Sequence, residues 1–176
     1  MTRLPASLLL LAAFALPMGV AAKTSDRNQT LGVDADASDC STNERAPCIF
    51  TGNVEIRQGT LEIHAARVDV RRSNGEIQRT ILTGSPVRLK QQMDDGGWVD
   101  ATAAQADYNL PTDTVVLTGN AVVNQPGKGR IEGQRIVYNM STGQVQGGGE
   151  GQGRVRMQFE PRNRQPAQDN ATQGGN

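Results

Sequence analysis

The sequence predicts an all-β fold, a repeat-built antiparallel β-jelly roll. Three observations predict it. A Thr-Gly motif returns along the chain as Thr51-Gly52-Asn53-Val54, Thr83-Gly84-Ser85-Pro86-Val87, Thr118-Gly119-Asn120-Ala121 and a worn Gly151-Gln152-Gly153-Arg154-Val155, with glycines 32, 35 and 32 residues apart. A second marker keeps step with it, since Ile63–Val70 matches Ala101–Tyr108 and Ile131–Tyr138, followed seven residues on by Ile77, Val115 and Val145. Beyond the first 22 residues, no run of about ten residues carries a helical apolar period. A period of this size marks a stacked fold in which each unit buries its apolar face against its neighbours.

The first 22 residues stand apart. A basic start at Arg3, an apolar run from Leu8 to Val20 and the small residues Val20-Ala21-Ala22 read as a cleaved secretory signal peptide. The run is short of the roughly 20 residues that span a bilayer. Cleavage after Ala22 leaves 154 residues (176 − 22), one domain's worth. With Arg3 gone, 17 basic side chains face 18 acidic ones. That balance, and aromatics at 3%, argue against nucleic acid as a partner. Export also places Cys40 and Cys48 in an oxidising compartment, so a disulfide between them is expected.

Taken in order, residues 23–30 are polar and read as a flexible N-terminus. Leu31 to Ala37 alternates apolar and polar, which is a strand with one covered face. Ser38 to Pro47 is a polar turn, and Cys40 and Cys48 flank most of it. Val54 and Ile56 then share a face, Gln58-Gly59 turns the chain, and Leu61 and Ile63 continue that face to Ala65. There the phase slips by one residue, so that Ala66, Val68 and Val70 align instead. The same slip recurs at Ala103-Ala104 and around Gly133-Gln134. A repeated slip at small residues predicts a bulge or bend that turns the strand while keeping its apolar side inward.

Ser73-Asn74-Gly75 reads as a turn, and Glu76–Leu82 and Val87–Gln91 as strands. Pro86 cannot donate to a ladder and is expected at a bulge or strand start. Loops follow at 93–97, 126–129 and 147–149, and Val155–Phe159 is a last alternating strand stopped by Pro161. The jelly-roll domain therefore runs over residues 31–160, and 161–176, without apolar period, reads as a disordered tail.

Enzymatic readings lack parts. His64 is the single imidazole and falls on a polar face, so no nucleophile–base pair is available. Asp94-Asp95 and Asp34, Asp36 and Asp39 sit where charges are simply hydrated. No metal or cofactor is expected, and the chain is not expected to be an enzyme. What remains is a surface. Val54, Ile56, Ile63, Val68, Val70, Ile77, Leu89, Val115, Leu117, Val123, Ile131, Ile136, Tyr138, Val145, Met157 and Phe159 point inward. Such a set makes either an ordinary packed core or the walls of an aliphatic slot left partly open for lipid chains. The first and last strands alternate cleanly, so Leu31, Val33 and Ala35 at one end and Val155 and Met157 at the other are candidates for strand addition by another chain.

The motifs Val33-Asp34-Ala35-Asp36, Phe50-Thr51-Gly52-Asn53-Val54, Leu117-Thr118-Gly119-Asn120-Ala121 and Ile131–Tyr138, in this order and spacing, resemble the OstA-like family of exported proteins. The resemblance covers Leu31 to Phe159. It implies a V-shaped jelly roll whose open slot takes the acyl chains of lipid A in lipopolysaccharide. It also implies a periplasmic carrier that stacks edge to edge, as head-to-tail copies of itself, between an inner-membrane LptC-like transporter subunit and an outer-membrane LptD-like translocon. The Cys40/Cys48 pair departs from the family pattern. Two other readings stay open: a membrane-tethered LptC-like sibling of the same fold, and a structural β-solenoid scaffold with a filled core and no ligand.

Overall fold

The protein is described here by a computed structural model, which covers residues 24–43, 46–148, 151 and 153–161. The expected signal peptide and nearly all of the expected C-terminal tail lie outside the described residues. A 3-10 turn (Thr24–Asn28) precedes ten strands: β1 (Gly32–Asp34), β2 (Ala37–Asp39), β3 (Cys48–Gln58), β4 (Leu61–Ser73), β5 (Glu76–Gln92), β6 (Trp98–Asn109), β7 (Thr114–Gln125), β8 (Gly129–Asn139), β9 (Val145–Gly147) and β10 (Arg156–Phe159). Strands β3 to β8 form an antiparallel meander. Both β1 and β2 pair with β3 at one edge, and both β9 and β10 pair with β8 at the other. The path does not close.

The expected phase slips are breaks in register. The ladders shift between Thr51 and Val54, His64 and Arg67, Thr83 and Val87, Thr102 and Gln105, and Thr118 and Ala121. Each break falls on one of the repeated motifs. In β3 and β7 the motif supplies two consecutive residues with positive φ, at 77° and 44° for Gly52 and Asn53 and at 81° and 49° for Gly119 and Asn120. Glycine then asparagine is the residue order that tolerates this backbone at least cost. In β5 the inserted Pro86 follows a cis peptide bond inside the break. The breaks line up across the sheet and fold it into two facing halves. The first half holds β1, β10 and the strand segments that end at the turns near residues 59, 95 and 127. The second holds β2, β9 and the segments that end at the turns near 75, 111 and 142.

Four expectations change in detail. Leu31–Ala37 is two short strands rather than one, since β1 pairs with one half of β3 and β2 with the other. Conversely, Glu76–Gln92 is one bent strand rather than two. The final strand is β10 at Arg156–Phe159, so Val155 precedes it. Residues 24–30 differ most. Polar composition predicts a loose lead-in, yet Asp26 is 4% exposed and the turn is hydrogen-bonded to distant loops. The disulfide joins Cys40 to Cys48 with their Cα atoms 4.1 Å apart, stapling the end of β2 to the start of β3.

Candidate functional site

The repeats place their apolar residues opposite one another in the ladders, and the result is three rows that cross the sheet. In the first half, Val33, Ile56, Ile63, Leu89, Ala101, Val123, Ile131 and Met157 are successive cross-strand partners from β1 to β10. At about 4.8 Å per strand this row is roughly 34 Å long. In the second half, Phe50, Val68, Leu82, Ala106, Leu117, Ile136 and Gly147 form a row, and Cys48, Val70, Thr80, Tyr108, Val115, Tyr138 and Val145 form another beside it. The rows face each other across the fold. Nearest the bend the partners are small, with Val54 opposite Ala65, Val87 opposite Ala103 and Ala121 opposite Gly133, which lets the halves approach closely.

Nearly all of the slot residues named from the sequence fall in these rows. Val54, Ile56, Ile63, Val68, Val115, Leu117, Val123, Ile131, Ile136 and Tyr138 are buried, and Val70, Leu89 and Val145 are half-buried against them. Three lie outside the rows: Val54 pairs with Ala65 nearer the bend, Phe159 pairs with Gly129 at the rim, and the furthest displaced is Ile77. It pairs with Arg72 beyond a bulge and takes no part in the core, because the β4–β5 hairpin is longer than its counterparts and Thr80 occupies the row position instead. The sequence reading missed Met93, Val99 and Met140, which are buried loop and strand-end residues outside the motifs, and the row alanines 101 and 106.

The space between the rows changes from one edge to the other. In the middle the halves are in contact. Leu89, Gln91, Val99 and Ala101 meet Val115, Leu117, Tyr138 and Met140 around a gap of only about 20 Å³. The lips of the fold there are joined by Met93 and Tyr138, whose hydroxyl donates to the Met93 sulfur at 3.8 Å. Toward the C-terminal edge the halves separate. Val123, Ile131, Val145, Met157 and Phe159 line a hollow of about 230 Å³. Phe159 is 82% exposed and Met157 48%, although both lie on the inner side of β10, as partners of Gly129 and Ile131. A larger hollow of about 860 Å³ sits at the bend, but Asn120, Glu132, Gln134, Arg154 and Arg156 give it a polar lining unlike the rows.

The candidate edge residues behave differently from one another. Val33 and Ala35 pack on the core, Leu31 and Met157 are exposed, and Val155 is tucked against Gly133, Gly147 and Gly148. His64 stands on the outer face between Glu55 and Arg88, with its Nε2 3.9 Å from the Glu55 carboxylate. Among the described residues, no group of three or more His, Cys, Asp or Glu side chains is placed to hold a metal.

The buried polar side chains, Asp26, Gln91 and Asp113 among the described residues, lie toward the lips. Asp113 is 5% exposed and accepts from Arg27, from Ser141 and, at 2.8 Å, from the Tyr108 hydroxyl. Burial pushes its carboxyl up, but the hydrogen bonds from Arg27, Ser141 and Tyr108 and the guanidinium charge outweigh that and hold it below the ordinary carboxylate value. The Tyr108 hydroxyl is pushed up to about 12 by burial and by that carboxylate. The flanking turns repeat as well: Thr112 N donates to Asn109 Oδ1 at 3.1 Å and Thr142 N to Asn139 Oδ1 at 2.8 Å.

Comparison with known proteins agrees with this architecture. The family described as LptA/(LptD N-terminal domain) LPS transport protein matches residues 32–144. The chain is 36% identical over 119 residues to lipopolysaccharide export system protein LptA of Escherichia coli, a match covering 66% of this chain and 63% of that protein's length. It is 32% identical over 145 residues to the protein of the same name from Haemophilus influenzae, covering 81% of this chain and 83% of that one. The crystal structure of LptH, the LptA-homologous periplasmic component of the lipopolysaccharide transport device of Pseudomonas aeruginosa, superposes with a TM-score of 0.70 at 25% identity, over 78% of this chain and 99% of that one.

Proposed function

The chain belongs to the LptA/LptD N-terminal domain family of LPS transport proteins, and from that premise we propose that it carries lipopolysaccharide through the periplasm without enzymatic chemistry, sheltering the acyl chains of lipid A between the apolar rows. The observation that supports the reading is the unbroken row from Val33 to Met157, which reaches both edges of the sheet. Each methylene removed from water contributes about 0.8 kcal/mol, so a dozen of them contribute on the order of 10 kcal/mol. A row of aliphatic walls supplies this without a strong contact at any one place, so a chain can slide along it. The open C-terminal hollow, with Met157 and Phe159 at its rim, is where an acyl chain meets the row in this conformation. Among the described residues the edge strands β1 and β10 are short and pair on one side, and the first row reaches both of them. Strand addition there joins the slot to that of a second copy, of an inner-membrane LptC-like subunit or of an outer-membrane LptD-like translocon.

Site-specific photocrosslinking tests the carrier role. Probes at Val123, Met157 and Phe159 are expected to capture lipopolysaccharide, while probes at the outward-facing Glu55 and Arg88 are not. Capture from no position in a folded protein would favour the ligand-free scaffold, a reading that draws on the gap of only about 20 Å³ in the middle of the fold.

A further inference from the structure

The N-terminal turn has the composition of a free end, Thr-Ser-Asp-Arg-Asn, and contributes no apolar side chain to the core. Such a segment is held by specific bonds or not at all. Its bonds run in two directions. Toward the first half of the sheet, Asp26 accepts from the Thr60 hydroxyl, and Thr60 Oγ1 accepts from Gln92 N at 3.1 Å, which ties the β3–β4 turn to the end of β5. Gln58 Nε2 donates to the backbone oxygens of Arg27 and Gln29 at 3.3 and 3.1 Å. Asp26 also fills the space that a Cβ on Gly59 would take. Toward the second half, Arg27 reaches Asp113 in the β6–β7 turn, the carboxylate already held by Tyr108 and Ser141. The turn therefore lies across the two lips of the fold, on the side away from the bend, over the place where Met93, Tyr138 and Met140 close the interior.

We propose that the 24–28 turn is a latch on the mouth of the slot, and that release of Arg27 from Asp113 lets the two lips part so that an acyl chain enters side-on between the rows. The inference rests on the acyl-carrier reading. It reconciles a row that spans the whole sheet with an interior nearly filled at its middle: this conformation is the latched one. The contact is built for release. Asp113 keeps Tyr108 and Ser141 as partners when Arg27 leaves, so no buried carboxylate is stranded, while Arg27, about half exposed, is taken up by water.

Stopped-flow uptake of a fluorescent long-chain fatty acid, compared among the wild type, Arg27→Glu and Arg27→Lys, tests the latch. In Arg27→Glu the side chain is repelled by Asp113, and both entry and exit of the probe are expected to be about tenfold faster, with the far-ultraviolet circular dichroism unchanged. A tenfold change corresponds to about 1.4 kcal/mol. Arg27→Lys keeps the charge and is expected to stay within about twofold of the wild type. Hydrogen exchange read in parallel is expected to show protection lost at residues 24–29 and 110–113 in Arg27→Glu. Probe uptake by all three proteins at one rate would overturn the latch and leave the carrier intact, even if Arg27→Glu melts at lower temperature. Uptake by none of them would overturn the acyl-carrier reading itself, and the latch with it.

Discussion

At the scale of single residues, the glycine of the Thr-Gly motif separates two demands that the sequence merges. Gly119 and Gly127 have almost the same backbone, with φ of 81° and 80°. A Cβ on Gly127 meets nothing within 4 Å, whereas one on Gly119 comes 2.7 Å from the Ala104 Cβ on the neighbouring strand. Gly127→Ala is therefore expected to lower unfolding stability by about 1 kcal/mol, the cost of a left-handed alanine. Gly119→Ala adds a clash at the bend and is expected to cost at least about 2–3 kcal/mol. Urea unfolding of the two variants checks the difference. The motif was legible because it repeats; its partner Ala104 was visible in the sequence only as a phase slip. Asp113 was not legible at all, since an isolated aspartate in a turn is ordinarily hydrated. Its role follows from Arg27, Tyr108 and Ser141, which are distant or unremarkable in sequence. Its folded pKa lies below the ordinary 3.8, so its contribution is complete above that value and fades as pH falls through the lower one. Asp113→Asn is expected to be less stable than the wild type at about pH 7, with the gap narrowing below about pH 4. The urea midpoint measured against pH would show a constant gap if the carboxylate charge did not matter.

At the scale of elements, what could be read was what sequence periodicity encodes. Alternation gave the strands, and the slip at Ala65-Ala66 and Ala103-Ala104 gave the bends that the ladders show between His64 and Arg67 and between Thr102 and Gln105. What could not be read was length. Counting seven residues beyond each marker finds Val115 and Val145 in the row but misplaces Ile77, because the hairpin closed by Ser73-Asn74-Gly75 is extended past the row. The 3-10 turn escaped for the opposite reason, since the side-chain bonds that hold it to the sheet are non-local and leave no period. The disulfide belongs to this scale as well. It closes a loop with a sequence separation of 8, for which the chain-entropy account gives about 2–3 kcal/mol. Replacing both Cys40 and Cys48 by Ser is expected to lose about that much. The loss of hydrogen-exchange protection should be confined to β1, β2 and the first residues of β3. Protection lost equally at β8 would mean that the staple supports the whole sheet rather than its N-terminal edge.

At the scale of the whole molecule, the design is asymmetric. The repeats carry the same rows from strand to strand, yet the two edges are not alike. At the N-terminal edge the row ends in Val33, half-buried against the core and followed by Ala35, which packs on it as well. At the C-terminal edge it ends in Met157, and Phe159 beside it stands almost fully in water. A lone apolar side chain in water is ordinary, but a ring at the mouth of an apolar row is placed to meet whatever extends that row. Phe159 buries little surface in the isolated chain, so Phe159→Asp is expected to change unfolding stability by less than about 0.5 kcal/mol. The same change puts a carboxylate at the point where an acyl chain or a following strand continues the slot, and desolvating an unpaired charge there costs several kcal/mol. Lipopolysaccharide crosslinking from Val123 is therefore expected to fall at least about tenfold in Phe159→Asp while the melting temperature holds. Crosslinking that survives the substitution would mean that an acyl chain seated against Val123 does not reach Phe159, and the ring would then serve only the strand that extends this edge.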